Sequence, residues 1–252
     1  MYMRLVQLNV KEEALGELRS FYDLNIVPAL RSIRGCLYAG LVQGSGRPSE
    51  CVSMTFWDTA ENADSYEKSG LFKKLLENAG KYLADTSEWK ILLTEDLSVQ
   101  YEEVREEPVV NAYHLASSQT GELLSAARMR GIYLRVVSPQ LRPGKEEEFK
   151  RIYTEDVLPK LRTVRGCRYA ALIEHTSETR KMLSMSIWDS KQDADDYEIS
   201  GTFDDLTDKV KHTFSEIYQW KMRLEQETGN QVVTSEELRV EGYSVVAGQS
   251  FF

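Results

Sequence analysis

The sequence predicts an α+β fold built from two copies of a β-α-β-β-α-β unit. The stretch FWDTAENADSYEKSG, which begins at Phe56, returns as IWDSKQDADDYEISG at Ile187, an offset of 131 positions. The same offset aligns RGCLYAG at 34–40 with RGCRYAA at 165–171 without a gap, and about 30% of the aligned positions are identical. Within each copy, short apolar segments and longer segments of helical spacing follow one another in that order. Duplication of one unit explains these observations.

Each unit begins with an alternating segment, predicted as a strand at 3–10 and again at 132–141. The segment that follows has apolar residues at helical spacing and is predicted as a helix. Pro28 and its copy Pro159 interrupt that pattern, so the helix is expected to kink or split there. In repeat 2, Pro143 and Gly144 predict the turn before this helix.

The second half of each unit predicts a hairpin, a helix and a last strand. CLYAGLV at 36–42 and CVSMTFW at 51–57 are rich in strand formers, and a loop of Gly, Ser and Pro separates them. Asp58 and Glu61 have capping-box spacing, as do Asp189 and Gln192 in the copy, and predict the start of a second helix. A Ser-Gly pair interrupts this helix, and residues 89–94 are predicted as the fourth strand.

This order of elements is that of ferredoxin-like units, in which two helices cover one face of a four-stranded antiparallel sheet. The other face of such a sheet must also be buried, and a fused copy offers a matching face. We therefore expect the two units of a monomer to form an intramolecular, pseudo-dimeric α/β barrel. This arrangement does not exclude assembly of several chains into a higher oligomer.

The chain divides into two repeats, a linker and a tail. The repeats are predicted at 1–94 and 132–225. The linker at 95–131 is expected to hold a strand extension and a short helix. The tail at 226–252 is expected to hold a strand, because its EELRV motif resembles EDLSV in the linker. Each extension would reach across to the other sheet.

Composition narrows the classes of function. The chain has 252 residues, a formal charge of −9 and a pI near 5.1, which disfavours nucleic acid or an anionic membrane surface as the main partner. It shows no apolar run of membrane-spanning length and no signal peptide, and its three cysteines lack metal-ligand or disulfide spacing, so a cytoplasmic location is expected. Phosphate-binding glycine motifs and metal-ligand motifs are also lacking, and no cofactor is expected.

A set of repeated residues resembles the pattern of the antibiotic biosynthesis monooxygenase family of dimeric α/β barrels. The pattern in repeat 1 is Gly35, Cys36, Trp57, Ala63, Tyr66, Ser69 and Phe72. In repeat 2 it is Gly166, Cys167, Trp188, Ala194, Tyr197, Ser200 and Phe203. The resemblance covers both repeats and leaves out the linker and the tail. Most of these positions are packing positions, so the pattern is more specific for fold than for chemistry.

The resemblance implies an enzyme that oxygenates a quinol or phenol without flavin or metal. Its partners would be a small aromatic or hydrophobic ligand and molecular oxygen. Such a protein must bind the ring, favour its deprotonated form and exclude water. These needs predict aromatic walls and a cation or hydroxyl in a cleft between the sheet and the helices.

The repeated aromatic and cationic residues are the site candidates. For catalysis they are Tyr66, Tyr197, Arg4 and Arg135, and for substrate binding they are Trp57, Trp188, Tyr22, Tyr153, Tyr38 and Tyr169. A buried Trp or Tyr also suits simple packing, so both interpretations stay open at this point. Asp58 and Cys36, with their copies, are better explained by a helix cap and by a buried thiol.

Two other hypotheses remain. The fold could bind a small molecule, or assemble, without catalysis. Some relatives degrade haem, with an Asn, a Trp and a His at positions that here hold Val6 or Val137, Tyr66 or Tyr197, and Leu76 or Thr207. None of the histidines, His114, His175 and His212, is repeated, which makes haem the weaker alternative.

Overall fold

The computed structural model describes residues 2–84, 88–93, 99–104, 110–118, 132–176, 181–216 and 239–250. The strands are β1 (Tyr2–Asn9), β2 (Cys36–Gly44), β3 (Glu50–Trp57), β4 (Glu88–Leu93), β5 (Val99–Val104), β6 (Val110–Ser118), β7 (Tyr133–Ser138), β8 (Cys167–His175), β9 (Met182–Trp188) and β10 (Arg239–Ser250). The α-helices are α1 (Leu15–Phe21), α2 (Val27–Arg31), α3 (Ala60–Lys68), α4 (Leu71–Ala79), α5 (Glu146–Ile152), α6 (Leu158–Leu161), α7 (Lys191–Ile199) and α8 (Thr202–Val210).

Antiparallel pairing arranges eight of these strands in a ring. The order is β1-β3-β2-β10-β7-β9-β8-β6, which closes as a barrel. Repeat 1 supplies β1, β3 and β2, and repeat 2 supplies β7, β9 and β8 in the same relative order. The predicted α+β arrangement of two ferredoxin-like units is confirmed.

The fourth position in each sheet differs from the prediction. The segment predicted at 89–94 does form a strand, β4, but β4 pairs with β5 in a separate two-stranded sheet. Strand β6 lies beside β1 instead, and its other edge pairs with β8 of the second repeat. Strand β10 likewise pairs with both β7 and β2. The prediction was wrong because strand propensity does not reveal a strand's partner. The predicted linker helix lies outside the described residues.

Residues from both repeats share one core inside the barrel. Alternate residues of the strands point inward, and Met54 and Phe56 of β3 join Met185 and Ile187 of β9 in a single buried cluster. Burial of these apolar faces against each other stabilises the pairing of the two repeats. The opposite faces of the sheets are covered by the helices.

The first helix of each repeat is split just before its proline, as predicted. A π-helical segment, Tyr22–Ile26, separates α1 from α2, and Tyr153–Val157 separates α5 from α6. The amide of Val27 donates to the carbonyl of Tyr22, five residues back, and Pro28 follows immediately. The wider turn accommodates a residue that has no N–H and whose ring would clash in a regular helix.

The second helix begins one residue later than predicted. Thr59, not Asp58, is the N-cap of α3, and its side chain accepts from the amide of Asn62 at 3.2 Å. Ser190 caps α7 in the same way, with Asp193 as donor. The Ser-Gly pair does interrupt the helix, since Gly70 and Gly201 each have φ of 77°, a conformation that favours glycine.

Candidate functional site

A cavity lies between the sheet of repeat 2 and its helices, and we call it the repeat 2 cleft. It has about 510 Å³ of empty space, including space that opens to solvent. Its walls are largely apolar and include Phe149, Val157, Leu161, Leu206 and Val210. Its polar lining residues are Arg135, Tyr153, Ser184, Ser186, Tyr197 and Thr207. Largely apolar walls with a few polar groups among them suit a small ring ligand.

Strands β7 and β9 form the polar floor of the cleft. They pair with Arg135 opposite Ser186 and Val137 opposite Ser184. The residues between these, such as Val136 and Met185, point into the barrel core. Alternation along the two strands therefore places the polar side chains on the helix-facing side, side by side.

Arg135 is the buried cation of the cleft. Its side chain is 5% exposed, and its Nε donates to Oε1 of Glu198 at 2.7 Å. The guanidinium carbon lies 4.3 Å from the ring centre of Phe203 and 5.5 Å from that of Tyr197, within cation–π range. Its Nη2 is buried and has no hydrogen-bond partner. Glu198 and the two rings therefore hold Arg135 in place while one donor remains available.

Two tyrosine hydroxyls also line the cleft. Tyr153 opens the π-helical segment, and its hydroxyl lies 2.7 Å from Oγ of Ser184. Burial raises the pKa of Tyr153 and of Tyr197 well above the ordinary value, although nearby Arg135 acts in the opposite direction. Both hydroxyls therefore stay protonated near neutral pH and can donate hydrogen bonds. Neither can serve as a base there.

Some sequence candidates take no part in this cleft. Trp188 is fully buried, its ring centre lies 5.1 Å from that of Tyr197, and its Nε1 donates to Oγ of Ser186 at 2.8 Å. Trp57 is equally buried, beside Tyr66 in repeat 1. Both indoles are core residues that support a tyrosine, and Trp188 is not among the described residues that line the repeat 2 cleft. Their contact with substrate stays a prediction.

Two further substrate-binding candidates, Tyr38 and Tyr169, lie away from the space between the sheets and the helices. Both belong to the core inside the barrel, on the opposite face of their sheets from the helices. The Tyr38 ring lies over Gly40. A Cβ built at Gly40 would be 2.0 Å from the hydroxyl oxygen of Tyr38. The β-bulges near Cys36 and Cys167 shift the strand register just before these tyrosines. The linear sequence does not reveal which face results.

Repeat 1 has the same polar group arrangement. The hydroxyl of Tyr22 lies 3.0 Å from Oγ of Ser53. Nη2 of Arg4 lies 2.9 Å from Oε2 of Glu67, and its guanidinium carbon is 5.8 Å from the Tyr66 ring centre. The candidates Arg4, Tyr22 and Tyr66 thus lie together in repeat 1, as Arg135, Tyr153 and Tyr197 do in repeat 2.

Sequence reasoning missed the serines of the floor. Ser184 and Ser186 alternate with apolar residues in MLSMSIW, and Ser53 and Thr55 do so in CVSMTFW. Repeated hydroxyls at alternate positions of a strand whose two faces are both covered indicate a polar patch within the buried sheet. That signal was present in the sequence.

The described residues contain no group of three or more His, Cys, Asp and Glu side chains arranged to hold a metal ion. His212 lies on the surface, 2.9 Å from a carboxylate oxygen of Glu148, and is not among the residues that line the repeat 2 cleft. None of the described helices has the length and apolar character that crossing a membrane requires.

Comparisons with known proteins agree on family and fold. The family model described as antibiotic biosynthesis monooxygenase matches residues 1–78 and 132–208, more than half of the chain. A "putative monooxygenase" structure from Lactobacillus acidophilus NCFM has a TM-score of 0.65 at 7% identity and covers 99% of this chain and 96% of its own. One from Fusobacterium nucleatum, also described in those words, has a TM-score of 0.65 at 7% identity and covers 99% and 94%.

An anthrone oxidase-like protein has a TM-score of 0.60 at 15% identity, with 99% of this chain and 93% of that protein covered. At these identities the likeness shows the fold alone. No curated protein sequence matches the chain.

Proposed function

Because the chain belongs to the antibiotic biosynthesis monooxygenase family, we propose that its repeat 2 cleft binds an electron-rich phenol or quinol and that the protein oxygenates it without flavin or metal. The observation that carries the proposal is a largely apolar cleft in which Arg135, the one cation among the described lining residues, is buried and keeps a free donor. Apolar walls suit an aromatic ring, and a buried cation suits a negative oxygen on it.

The reaction needs no electrons beyond those of the ligand. A phenolate gives one electron to O₂, which forms a phenoxyl radical and superoxide. These combine at a ring carbon and form a C–O bond, and loss of water with the ring proton breaks the O–O bond. Phenol and O₂ thus become a quinone and water. One oxygen atom of O₂ becomes bonded to a ring carbon, and the other leaves as water.

Arg135 favours the reactive form of the ligand. A nearby positive charge stabilises a phenolate over its phenol and lowers the ligand's pKa. The effect is stronger in a buried site than in water, since less solvent screens the charge. Tyr197 can donate to the same negative oxygen because its own pKa is raised by burial. Both residues therefore stabilise negative charge on the ring.

The described lining side chains of the cleft include no carboxylate, imidazole or amine that could act as a base. We therefore expect the ligand to ionise on its own, helped by Arg135. The rate should rise tenfold for each pH unit below the bound ligand's pKa and level off above it. The midpoint should shift from one phenol to another with their acidities, whereas a protein base would give one fixed midpoint.

The test is oxygen uptake by metal-free, flavin-free protein with a panel of phenols and quinols. We expect turnover with electron-rich rings, and with the pH dependence described above. If every phenol and quinol binds without oxygen uptake, the chain is a binding protein on the same fold. If none binds at all, the repeat 2 cleft is not the ligand site.

A further inference from the structure

The repeat 2 cleft presents hydrogen-bond donors that lack protein acceptors, and we infer that it selects ring ligands bearing at least two acceptor oxygens, one of them anionic. This inference names the ligand class of the proposed function and rests on the cleft being its binding site. It does not depend on turnover.

Ser186 has a hydroxyl proton that it can donate to a ligand. Its Oγ accepts from Nε1 of Trp188 at 2.8 Å, because an indole N–H is a donor only. Ser186 is 4% exposed, and its own hydroxyl proton has no acceptor among the described residues. A buried donor without a partner is costly, so an acceptor on a ligand at this place would be favourable.

Ser184 and Tyr153 each carry one hydroxyl proton. One of these protons lies in the 2.7 Å hydrogen bond between the two hydroxyl oxygens. The nearest described protein acceptor for the other is the carbonyl of Ala171, 3.5 Å from the Tyr153 oxygen. That distance exceeds the usual O–H···O range of about 2.5–3.0 Å. A ligand oxygen at normal distance would be the better acceptor.

Arg135 adds a donor with a positive charge. Its buried Nη2 has no hydrogen-bond partner, and Arg135 lies opposite Ser186 across the strand pair. Ser184 is two residues from Ser186 on β9, which is about 7 Å at the rise of a strand. The donors thus form a row about as long as a bicyclic ring, with its charged member at the Ser186 end.

Hydroxyl groups can also accept, so a ligand that only donates is not shut out. A ligand that only donates would, however, leave the guanidinium donor unpaired. Each of its protons would also add to the excess of hydrogen-bond donors over acceptors that the floor already has. No Asp, Glu, Asn or Gln is among the described lining residues to absorb that excess. The balance therefore favours a ligand rich in acceptors.

The test is anaerobic binding by the full chain of two ligands with the same ring system. The first, 2-hydroxy-1,4-naphthoquinone, is an anion with further carbonyl acceptors at neutral pH. The second, 2-naphthol, is neutral with one hydroxyl. We expect the first to bind at least about tenfold more tightly, as one charged and one neutral hydrogen bond would give. Equal affinities would contradict the inference.

Variants of the floor assign that preference. Ser184→Ala and Ser186→Ala should each weaken naphthoquinone binding about threefold to tenfold and leave 2-naphthol within about twofold. Ser186→Thr keeps the hydroxyl, as Thr55 does for Trp57 in repeat 1, and should retain the preference. Ser53→Ala breaks the equivalent tyrosine–serine pair in repeat 1 and should change neither affinity.

Thermal unfolding midpoints identify any variant that loses affinity because it folds poorly, and Ser186→Thr then tests the hydroxyl by itself. If the preference is unchanged in folded Ser184→Ala and Ser186→Ala, the inference is wrong. A preference without oxygen uptake would refute the proposed enzyme and keep the inference. Oxygen uptake without a preference would do the reverse.

Discussion

The two repeats differ more in the apolar residues at the positions of the repeat 2 cleft than in the polar ones. Eight of the fifteen residues that line the repeat 2 cleft are identical at the aligned positions of repeat 1, and these include Arg135, Tyr153, Ser184 and Tyr197. Ser186 becomes Thr55, which keeps the hydroxyl. Thr207 is the one polar lining residue replaced by an apolar one, Leu76. The two copies therefore share most of the polar lining residues and differ in the apolar ones that shape the walls.

The changed wall residues alter the volume available to a ligand. Phe149 and Phe214 correspond to Leu18 and Leu83, and the remaining exchanges also swap one apolar side chain for another of different size. The helix-side core of repeat 2 forms one cluster, whereas that of repeat 1 divides into two. A difference between the repeats in the size or shape of ligand would therefore come from the walls, while the guanidinium and hydroxyls that favour acceptor-rich ligands would be common to both repeats.

The barrel faces differ as well. Gly40 in β2 leaves room for the Tyr38 ring, whereas the aligned position in β8 is Ala171. Tyr38 is fully buried with an unpartnered hydroxyl, and Tyr169 is 6% exposed. The equivalent tyrosines of the two repeats therefore pack in different surroundings.

The largest expected effect separates the two arginines. Arg135→Gln should lower oxygen uptake with phenols about 100-fold, the scale for loss of a donor to developing negative charge. Arg4→Gln should have a much smaller effect if only the repeat 2 cleft works. Steady-state oxygen-electrode rates for both variants decide the question. Equal losses would mean that both repeats act, or that both arginines are structural.

Gly40→Ala should lower the free energy of unfolding by about 1–3 kcal/mol, because the new methyl group would overlap the buried Tyr38 ring. The reverse exchange in repeat 2, Ala171→Gly, should cost only about 0.5–1 kcal/mol, since it removes a methyl group and adds backbone freedom. Urea unfolding followed by fluorescence measures both. Similar costs would show that the two tyrosines are packed alike.

Thr207→Leu gives the repeat 2 cleft the residue of repeat 1 at this wall. We expect it to weaken ring-ligand binding about threefold to tenfold by filling the cleft. Thr207→Val keeps the size and removes the hydroxyl, so it should bind almost as well as the original chain. Calorimetric titration distinguishes the two. If Val is as harmful as Leu, the hydroxyl matters and not the shape of the wall.

The smallest effect concerns the equivalent cysteines of the two repeats, Cys36 and Cys167. Burial raises the pKa of Cys36 and of Cys167 from 9.0 to about 12. The reactive thiolate is therefore scarce at neutral pH, and labelling should accelerate tenfold per pH unit while the fold persists, without a plateau below about 12. Cys167 is less buried than Cys36 and should react about threefold faster. Peptide mass mapping after timed alkylation would show the order, and a plateau near pH 9 would contradict the shift.

Much of the fold could be predicted from the sequence. The repeat, the strand and helix types, the split at Pro28 and the break at Gly70 follow from periodicity and from residues with restricted or unusual backbone preferences. These features depend on neighbours in the chain. Arg135 and Tyr197 are also candidates from the sequence, because each has an identical residue at the aligned position of the other copy.

Less of the candidate site could be predicted. Trp57 and Trp188 are predicted from the sequence as ligand-stacking residues, and only the structure shows that each indole packs beside a tyrosine. The serine floor exists only because β7 and β9 pair in a register that sets Arg135 against Ser186, 51 positions apart in the chain. A single strand carries no information on its partner's register beyond which of its faces is apolar.

The sequence by itself determined that there are two units of one kind and which strand positions are apolar, since both are properties of local pattern. Only the tertiary structure decided that β6 and β10 take the fourth positions in the sheets, and which aromatic side chains face the cleft or the core. The physical reason is that strand pairing and burial arise from contacts between segments distant in the chain, whose free energy no local period encodes.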